Sequence, residues 1–363
     1  MYRRPPVRRL RASDRARRRS SRRVWFGCAG RARTVRPMWV ALGSTRFDIT
    51  HRALVMGILN RTTDSFFDKG TYWDFDSFLR RAERLVEEGA DFLDVGGVKA
   101  GPGPEVTESE ELERVVPAME ALRARFDVPL SIDTWRASVA EACYAAGACV
   151  GNDISGFADP DYLPVAARAG ASVVATHIRL RPRVADPEPT YPRGVRAEVR
   201  DFLLERARQA MALGIARERV IIDAGLDLGK TWQQSLVLLR ASSELADTGF
   251  ALLLSASNKT FLGKLLDQEI DQRRESSLSA TALGIAGGCR LIRAHDVAGT
   301  RRVVLVMEAI LQARTERGLP LWRSHNEASS AVPEQPEQSE QPEQPGQPGQ
   351  PEQPERSEQS EQS

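Results

Sequence analysis

Eight short apolar runs, separated by helical patterns, constrain the fold of this chain more than any other feature. The runs lie at residues 53–59, 92–95, 130–132, 149–154, 172–176, 220–222, 251–254 and 289–292. Nearly continuous apolar runs are typical of strands that are buried on both faces, as in a parallel sheet. The sequence therefore predicts eight parallel strands.

The stretches between these runs have the apolar spacing of amphipathic helices. One helix is predicted over Phe75–Glu88. A second is predicted over Glu108–Arg125, where Thr107 is a helix N-cap and Glu110 completes a capping box three residues later. Further helical patterns lie at residues 197–213 and 302–313.

Strand-then-helix units repeated eight times predict one closed barrel over residues 50–315. The predicted class is therefore α/β, a (β/α)8 TIM barrel. A doubly wound open sheet is the alternative. It is disfavoured in its dinucleotide-binding form, because no G-x-G-x-x-G follows the first strand.

The two ends of the chain differ in composition from the barrel segment. Residues 1–46 carry fifteen arginines and one acidic residue, and no large apolar side chain follows Val332. Such segments bury too little apolar surface to offset the entropy of ordering. We expect an Arg-rich disordered extension over residues 1–48 and a Glu/Gln/Pro/Ser low-complexity tail over residues 326–363.

The arginine-rich head indicates neither a nucleic-acid partner nor export. It lacks interleaved aromatic residues and a sustained basic helix, and no apolar segment follows the Arg22-Arg23 pair. No run approaches the roughly 18 apolar residues of a membrane span. The four cysteines form no C-x-x-C pair, which suits a reducing compartment. We therefore expect a cytoplasmic protein with no membrane partner.

Polar residues follow seven of the eight predicted strands. In such barrels the carboxyl ends of the strands face the active site. The polar strand ends are Asn60, Asp133, Asn152, His177, Asp223, Lys259, Arg293 and His295. A single polar residue after a strand is often only a helix cap or a turn former, as for Asp153 and Asp296. Burying all of them together would be costly without a polar ligand, so the sequence predicts a binding site.

The residue types at this mouth indicate the ligand chemistry. Lys259 and Arg293, with His295 near them in sequence, suit a phosphate or another anion. The carboxylates and the amide at the other strand ends suit a flat heterocycle with N–H donors. Asn60 offers an oxygen to a metal or a donor to phosphate. The residues alone predict an anionic leaving group attached to a polar heterocycle.

Seven ordered stretches resemble the dihydropteroate synthases. Residues 56–66 read M-G-I-L-N-R-T-T-D-S-F, which is similar to the family's M-G-I-L-N-V-T-P-D-S-F. Similar matches occur at residues 89–97, 131–134, 152–156, 223–231, 257–261 and 293–297. The resemblance spans roughly residues 52–313 in the family's order.

The resemblance implies condensation of 6-hydroxymethyl-7,8-dihydropterin diphosphate with 4-aminobenzoate in folate biosynthesis. It also implies Mg²⁺ as cofactor and a homodimer. The implied substrate-binding residues are Asp133, Asn152, Asp223, Lys259, Thr260, Arg293 and His295. The implied catalytic residues are Asn60, Phe66, Asp68 and Lys259, with Asn60 also near the metal.

Departures from the family pattern cluster on the aminobenzoate side. Residues 98–103 read V-K-A-G-P-G where the family has E-S-T-R-P-G, so Ala100 and Gly101 replace a threonine and an arginine. Thr63 replaces a proline in the first loop. In the sixth loop, residues 227–228 read D-L in place of G-F, which removes an aromatic wall and adds a charge that repels a carboxylate.

The V-K-A-G-P-G loop resembles that of a divergent second paralogue in mycobacteria and related actinobacteria, which is regarded as inactive or of uncertain activity. Three hypotheses follow. The chain is a working synthase with an altered aminobenzoate site, a pterin-binding paralogue without synthase activity, or a pterin-dependent transferase with another acceptor. The third, for example a methyltetrahydrofolate-dependent methyltransferase, is weakened because it needs no diphosphate site.

Overall fold

The computed structural model describes residues 37–61, 74–101 and 103–313. The strands are β1 (Trp39–Leu42), β2 (Thr45–Asp48), β3 (Leu54–Asn60), β4 (Phe92–Gly96), β5 (Leu130–Asp133), β6 (Val150–Asp153), β7 (Ser172–Thr176), β8 (Val220–Asp223), β9 (Ala251–Leu254) and β10 (Leu291–Ala294). The α-helices are α1 (Phe75–Glu87), α2 (Glu108–Arg125), α3 (Ala137–Ala145), α4 (Tyr162–Arg168), α5 (Val195–Ala212), α6 (Trp232–Arg240), α7 (Ser242–Ala246), α8 (Thr260–Leu266), α9 (Arg274–Ala286) and α10 (Val297–Ala313).

Strands β3 to β10 close a barrel in which every neighbouring pair is parallel and β10 pairs back with β3. Each barrel strand corresponds to one of the eight apolar runs. The predicted (β/α)8 TIM barrel is therefore confirmed.

Side chains on the two faces of the barrel strands form two separate apolar layers. On β4, Leu93 and Val95 pack in the cluster that the strands form with the surrounding helices. Phe92 packs instead in a smaller cluster inside the barrel, together with Leu54 and Met56 of β3. Because side chains alternate between the two faces of a strand, the next inward position on β4 is Asp94. Polar inward residues thus lie directly above an apolar floor.

The first two barrel helices begin at side-chain caps, of which only the second was predicted. The Asp74 side chain accepts from the backbone N–H of Ser77 at the start of α1. Thr107 and Glu110 form the predicted capping box of α2. Such caps satisfy orphan N–H groups and are worth about 1 kcal/mol each.

The hairpin formed by β1 and β2 corrects the prediction of disorder through residue 48. Val40 and Ile49 are fully buried, and with Leu42 they pack against the apolar floor at the amino end of the barrel. The backbone turns at Gly43, where φ is +62°. The arginine-rich composition of residues 1–46 concealed Val40 and Leu42, which together with Ile49 cover strand ends that would otherwise be exposed to solvent.

The low-complexity tail expected at residues 326–363 and the head up to residue 36 lie outside the described residues. Among the helices that the structure describes, none combines the length and the apolar composition needed to cross a membrane.

Candidate functional site

The predicted site residues of the first strands form one row across the barrel mouth. In the strand register Asn60 lies opposite Gly96, Gly96 opposite Asp133, and Asp133 opposite Asn152. An atom built at the Cβ position of Gly96 would lie 3.7 Å from both Asn60 Oδ1 and Asp133 Oδ2. The amide and carboxylate side chains therefore approach each other over this glycine.

Arg293, from β10, joins this row to a buried carboxylate. Its Nε donates to Asp94 Oδ2 at 2.7 Å, and its Nη2 donates to Asp133 Oδ2 at 2.8 Å. Asn152 Nδ2 donates to the same oxygen of Asp94 at 3.1 Å. A guanidinium shared by two carboxylates satisfies charges that would be costly to bury alone.

Asp223 and Lys259 complete the mouth on the opposite side. Asp223 ends β8 and accepts from the backbone N–H of Gly225 at 2.8 Å. Burial raises the pKa of Asp223, and the positive charges of Lys259, Lys230 and Arg293 act against this rise. Because Lys259 also influences Asp133, it lies within electrostatic reach of both carboxylates.

His295 is a neutral group in this site. Burial lowers its pKa to about 3, and the charges of Arg293 and Lys259 act in the same direction. Ser257 Oγ accepts from the backbone N–H of His295 at 3.2 Å and lies 3.0 Å from its Nδ1. Because a hydroxyl can either donate to Nδ1 or accept from it, this contact is compatible with both neutral tautomers of the imidazole. His295 adds no positive charge in its neutral form, so Lys259 and Arg293 supply the positive charge of this part of the mouth.

The pKa of Asp133 is raised to about 7. Burial is the main cause, Asp94 and Glu111 add to it, and Arg293 and Lys259 oppose it. Its side chain keeps 17% of its exposure, so solvent moderates the effect. Asp133 is therefore an acidic group of the mouth whose charge changes near neutral pH.

The raised pKa of Asp133 predicts that the free energy of unfolding decreases as the pH rises from about 4 to about 7. Through that window the folded chain holds a proton on Asp133 that the unfolded chain has lost. We expect Asp133→Asn to reduce this fall by an amount on the order of 1–3 kcal/mol. Urea unfolding of both proteins at pH 5 and pH 7.5 measures it. An identical pH dependence in the two proteins would show that Asp133 titrates normally.

Comparison with known proteins identifies this arrangement. The family model for pterin binding enzymes matches residues 56–295. The chain belongs to the pterin-binding enzyme family. It is 45% identical over 280 residues to a Mycobacterium tuberculosis protein named inactive dihydropteroate synthase 2, covering 74% of this chain and 87% of that one. It is 39% identical over 277 residues to the dihydropteroate synthase of Synechocystis, covering 76% and 96% of the two chains.

A solved pterin-binding enzyme has the same fold. The dihydropteroate synthase of Yersinia pestis, crystallised with a sulfonamide, superposes with a TM-score of 0.73 at 36% identity. The match covers 76% of this chain and all of that one. The resemblance stated from the motifs is therefore confirmed, and the chain is dihydropteroate synthase-like.

Two groups of predicted positions remain, one outside the described residues and one away from the mouth. Phe66 and Asp68, and with them Thr63, fall outside the described residues. His177 follows β7 but packs its ring edge-on against Phe202 of α5, at a centroid distance of 4.9 Å. It is thus a helix-facing residue, in contrast to the other polar strand ends.

Two charged residues near the site were not predicted from the sequence. Asp94 was quoted within a motif without a role, although its inward position on β4 could have singled it out. Lys230 is buried, and its Nζ donates to the backbone oxygens of His177 and Leu228 at 3.1 and 2.8 Å. It also lies 2.8 Å from His177 Nδ1, and burial lowers the pKa of Lys230 to about 7. Lys230 therefore links the loop after β8 to the end of β7 through hydrogen bonds.

The divergent loop after β4 is held by an arginine from another loop. The backbone N–H of Arg183 donates to the oxygen of Ala100 at 3.2 Å. Its guanidinium donates to the backbone oxygens of Lys99, at 3.0 Å, and Pro104. Arg183 itself has φ of +66°. In this loop Gly101 stands where the family has an arginine. The guanidinium of Arg183 holds the loop instead, by donating to its backbone oxygens.

We expect Arg183→Ala to loosen the loop at residues 98–104. Losing two hydrogen bonds from a charged donor should accelerate amide exchange there about tenfold or more. Hydrogen exchange with mass spectrometry measures this, and Arg181→Ala, an exposed arginine of the same segment, is the matched control. Equal protection of the loop in both variants would show that Arg183 does not hold it.

The divergent Asp227 places its carboxylate at the start of α8. It accepts from the backbone N–H of Phe261 at 3.1 Å and lies 3.4 Å from Ser235 Oγ. Asp227 has φ of +68°, a conformation that favours glycine. It also lines a cavity of about 420 Å³ together with Thr260 and Trp232. A group bound at Thr260 would therefore meet a built-in negative charge.

The residues at the mouth suit a magnesium ion that arrives with a phosphate ligand. Within residues 37–61, 74–101 and 103–313, no group of three or more acidic, histidine or cysteine side chains forms a metal cluster. Magnesium is commonly held by one or two protein oxygens together with phosphates and water. Asn60 offers one such oxygen beside Asp133.

Proposed function

We propose that the barrel mouth binds 6-hydroxymethyl-7,8-dihydropterin diphosphate and transfers its pterin to an arylamine. The observation that carries this proposal is the shared ion-pair cluster. Arg293 contacts Asp94 and Asp133, and Asp94 contacts Asn152. Hydrogen-bond acceptors that suit a heterocycle therefore lie in the same site as hydrogen-bond donors that suit an anion.

The pterin half of the ligand is assigned to acceptor side chains. Asp223 accepts from the guanidine-like edge of the ring, where a carboxylate makes charge-assisted bonds of about 1.5–3 kcal/mol. Asp133 and Asn152 meet the remaining polar edge. Lys259, close to both carboxylates, donates to the ring oxygen or nitrogen.

The diphosphate half is assigned to Arg293, His295 and Asn60. A guanidinium binds phosphate oxygens through its planar fork. His295, neutral because burial lowers its pKa to about 3, is proposed to donate to the diphosphate through Nε2. Magnesium bound to the diphosphate and Asn60 would neutralise further negative charge. In the reaction the bond from the pterin methylene carbon to the diphosphate oxygen breaks, a carbon–nitrogen bond to the amine forms, and the amine loses a proton.

These donors favour departure of the leaving group. Negative charge grows on the diphosphate as the bond breaks, and fixed donors stabilise that charge without reorganisation. Phe66 and Asp68 are proposed to act in catalysis, as the resemblance to the family implies. Thr260 is proposed to contact the arylamine substrate from the start of α8.

A second candidate is a pterin-binding protein without synthase activity. It is favoured by the V-K-A-G-P-G loop and by the 45% identity to a relative named inactive dihydropteroate synthase 2. Both candidates share the pterin diphosphate site and differ on the acceptor side. Lys99 keeps a positive charge in the loop but lacks the fork of the family's arginine.

Complementation separates the two candidates. A bacterial strain that lacks its own dihydropteroate synthase and depends on supplied folate products is given this chain. Growth without the supplement, lost in an Asp223→Ala variant, supports synthase activity. Failure to grow, with the protein present and binding pterin diphosphate in vitro, supports the second candidate.

We further propose a homodimer that uses the last two helices. Leu283 of α9 and Val306 and Ile310 of α10 are between 50% and 59% exposed, although each is a large apolar side chain. Apolar side chains exposed together are typical of protein interfaces. Light scattering coupled to gel filtration tests this, and a monomer at micromolar concentration would contradict it.

A further inference from the structure

Asp94 is a fully buried carboxylate at the centre of the site, and neither the sequence prediction nor the proposed ligand contacts give it a role. Its Oδ1 accepts from Ser131 Oγ at 2.6 Å. Its Oδ2 accepts from Asn152 Nδ2 at 3.1 Å and from Arg293 Nε at 2.7 Å. All three neighbours act as donors to this one group.

This arrangement decides which end of the Asn152 amide faces the mouth. The two ends have nearly the same shape, but one donates hydrogen bonds and the other accepts them. An ionised carboxylate only accepts. Asp94 therefore draws Nδ2 toward itself and leaves Oδ1 as the atom that faces a ligand.

The same oxygen of Asp94 also orients Arg293. With Nε bound to Asp94 and Nη2 bound to Asp133, the plane of the guanidinium is fixed by two contacts. A fork held in one plane loses less freedom when it binds a phosphate. One buried carboxylate thus sets the geometry on both sides of the mouth.

We propose that Asp94 is a positioning residue that makes Asn152 a hydrogen-bond acceptor for a ring N–H of the pterin. Through Arg293 it also prepares the diphosphate contact. The inference rests on the proposed pterin-binding function. It defines a selectivity, because the site then favours a heterocycle with an N–H donor at this point over one with a ring acceptor.

Exchanging the two side chains tests this polarity directly. Asp94→Asn places an amide where three donors converge, so at least one donor meets another. Asn152→Asp places two carboxylates within hydrogen-bond distance. Each single variant should bind 6-hydroxymethyl-7,8-dihydropterin about ten- to a hundredfold more weakly in calorimetry.

The double variant D94N/N152D should recover part of the lost affinity. It keeps the total charge of the pair, lets the new amide at position 94 donate to the new carboxylate at position 152, and again presents an oxygen to the ligand. Recovery is incomplete because the amide nitrogen that faces position 152 also faces Arg293 Nε, which loses its acceptor. Rescue by a second substitution in the same buried pair is not expected if Asp94 only supports the fold. A double variant that binds no more tightly than either single variant would overturn the proposal, as would native affinity in D94N.

Ser131→Ala is the matched control because Ser131 contacts the other oxygen of Asp94. It should lower the thermal midpoint while pterin affinity stays within about threefold of the native value. If D94N does not fold, the comparison of N152D with the double variant decides. A native chain that binds no pterin at all would contradict the proposed function. A native chain that binds pterin, with a D94N variant that binds it equally well, would contradict only the role of Asp94.

Discussion

Replacing Asp223 with alanine is expected to weaken pterin binding at least about a hundredfold. A carboxylate facing two N–H groups contributes about 1.5–3 kcal/mol for each charge-assisted bond, and both would be lost together. Isothermal titration with 6-hydroxymethyl-7,8-dihydropterin measures the effect. Unchanged affinity would remove Asp223 from the pterin site.

The same substitution should leave the fold intact. Because burial raises the pKa of Asp223, its ionised carboxylate destabilises the folded chain at neutral pH, and removing it relieves this cost. We expect a free energy of unfolding at pH 7 that is unchanged or higher. Loss of binding without loss of stability distinguishes a ligand-binding carboxylate from one that holds the barrel together.

Restoring the family's loops is expected to give the second large effect. The variant combines Ala100→Thr, Gly101→Arg, Asp227→Gly and Leu228→Phe. Each recovered polar contact should raise kcat/KM for 4-aminobenzoate about ten- to a hundredfold. Sulfonamides copy the shape of aminobenzoate, so sulfonamide inhibition should increase in parallel.

The backbone is compatible with two of these substitutions. A Cβ atom at Gly101 would meet no described atom within 4 Å, so a side chain can begin there without a clash. Asp227 already has a conformation that favours glycine. Gly101→Lys in place of Gly101→Arg is the matched control, because it restores the charge without the fork and should recover less activity.

Two outcomes would contradict this account of the loops. The native chain could turn over aminobenzoate as fast as the Synechocystis enzyme in the same assay and be equally sensitive to sulfonamides. The altered loops would then have no functional consequence. Alternatively, the restored variant could remain inactive while it binds pterin diphosphate normally. The defect would then lie elsewhere, with the Thr63 loop as the first candidate.

The barrel was predictable because its strands are buried on both faces and therefore read as continuous apolar runs. The positions of Asp133, Asn152 and Asp223 were predictable for a related reason, since each is the last or the next-to-last residue of such a strand. The β1–β2 hairpin was missed because four-residue strands carry little periodic signal, and the segment before it is rich in arginine. Composition averaged over 46 residues obscured three buried apolar side chains.

Asp94 and His177 show where strand-end reasoning is too coarse. Asp94 lies in the middle of β4. Only its spacing of two residues from Phe92 and from Gly96 indicates that its side chain faces the barrel interior. Thr176 lies opposite Asp223 in the strand register, and His177 is the next residue. Its side chain therefore points to the other face of the strand, where it packs against α5 instead of entering the mouth. Arg183 could not be predicted at all, because its contacts with the loop after β4 join residues about eighty positions apart.

The central claim is that this barrel mouth is a pterin diphosphate site. Titration calorimetry of the native chain with 6-hydroxymethyl-7,8-dihydropterin diphosphate and magnesium tests it most directly. We expect saturable binding at one site per chain, weakened strongly by Asp223→Ala and by Arg293→Met. Absence of binding by the folded native protein, or binding that neither substitution weakens, would contradict it.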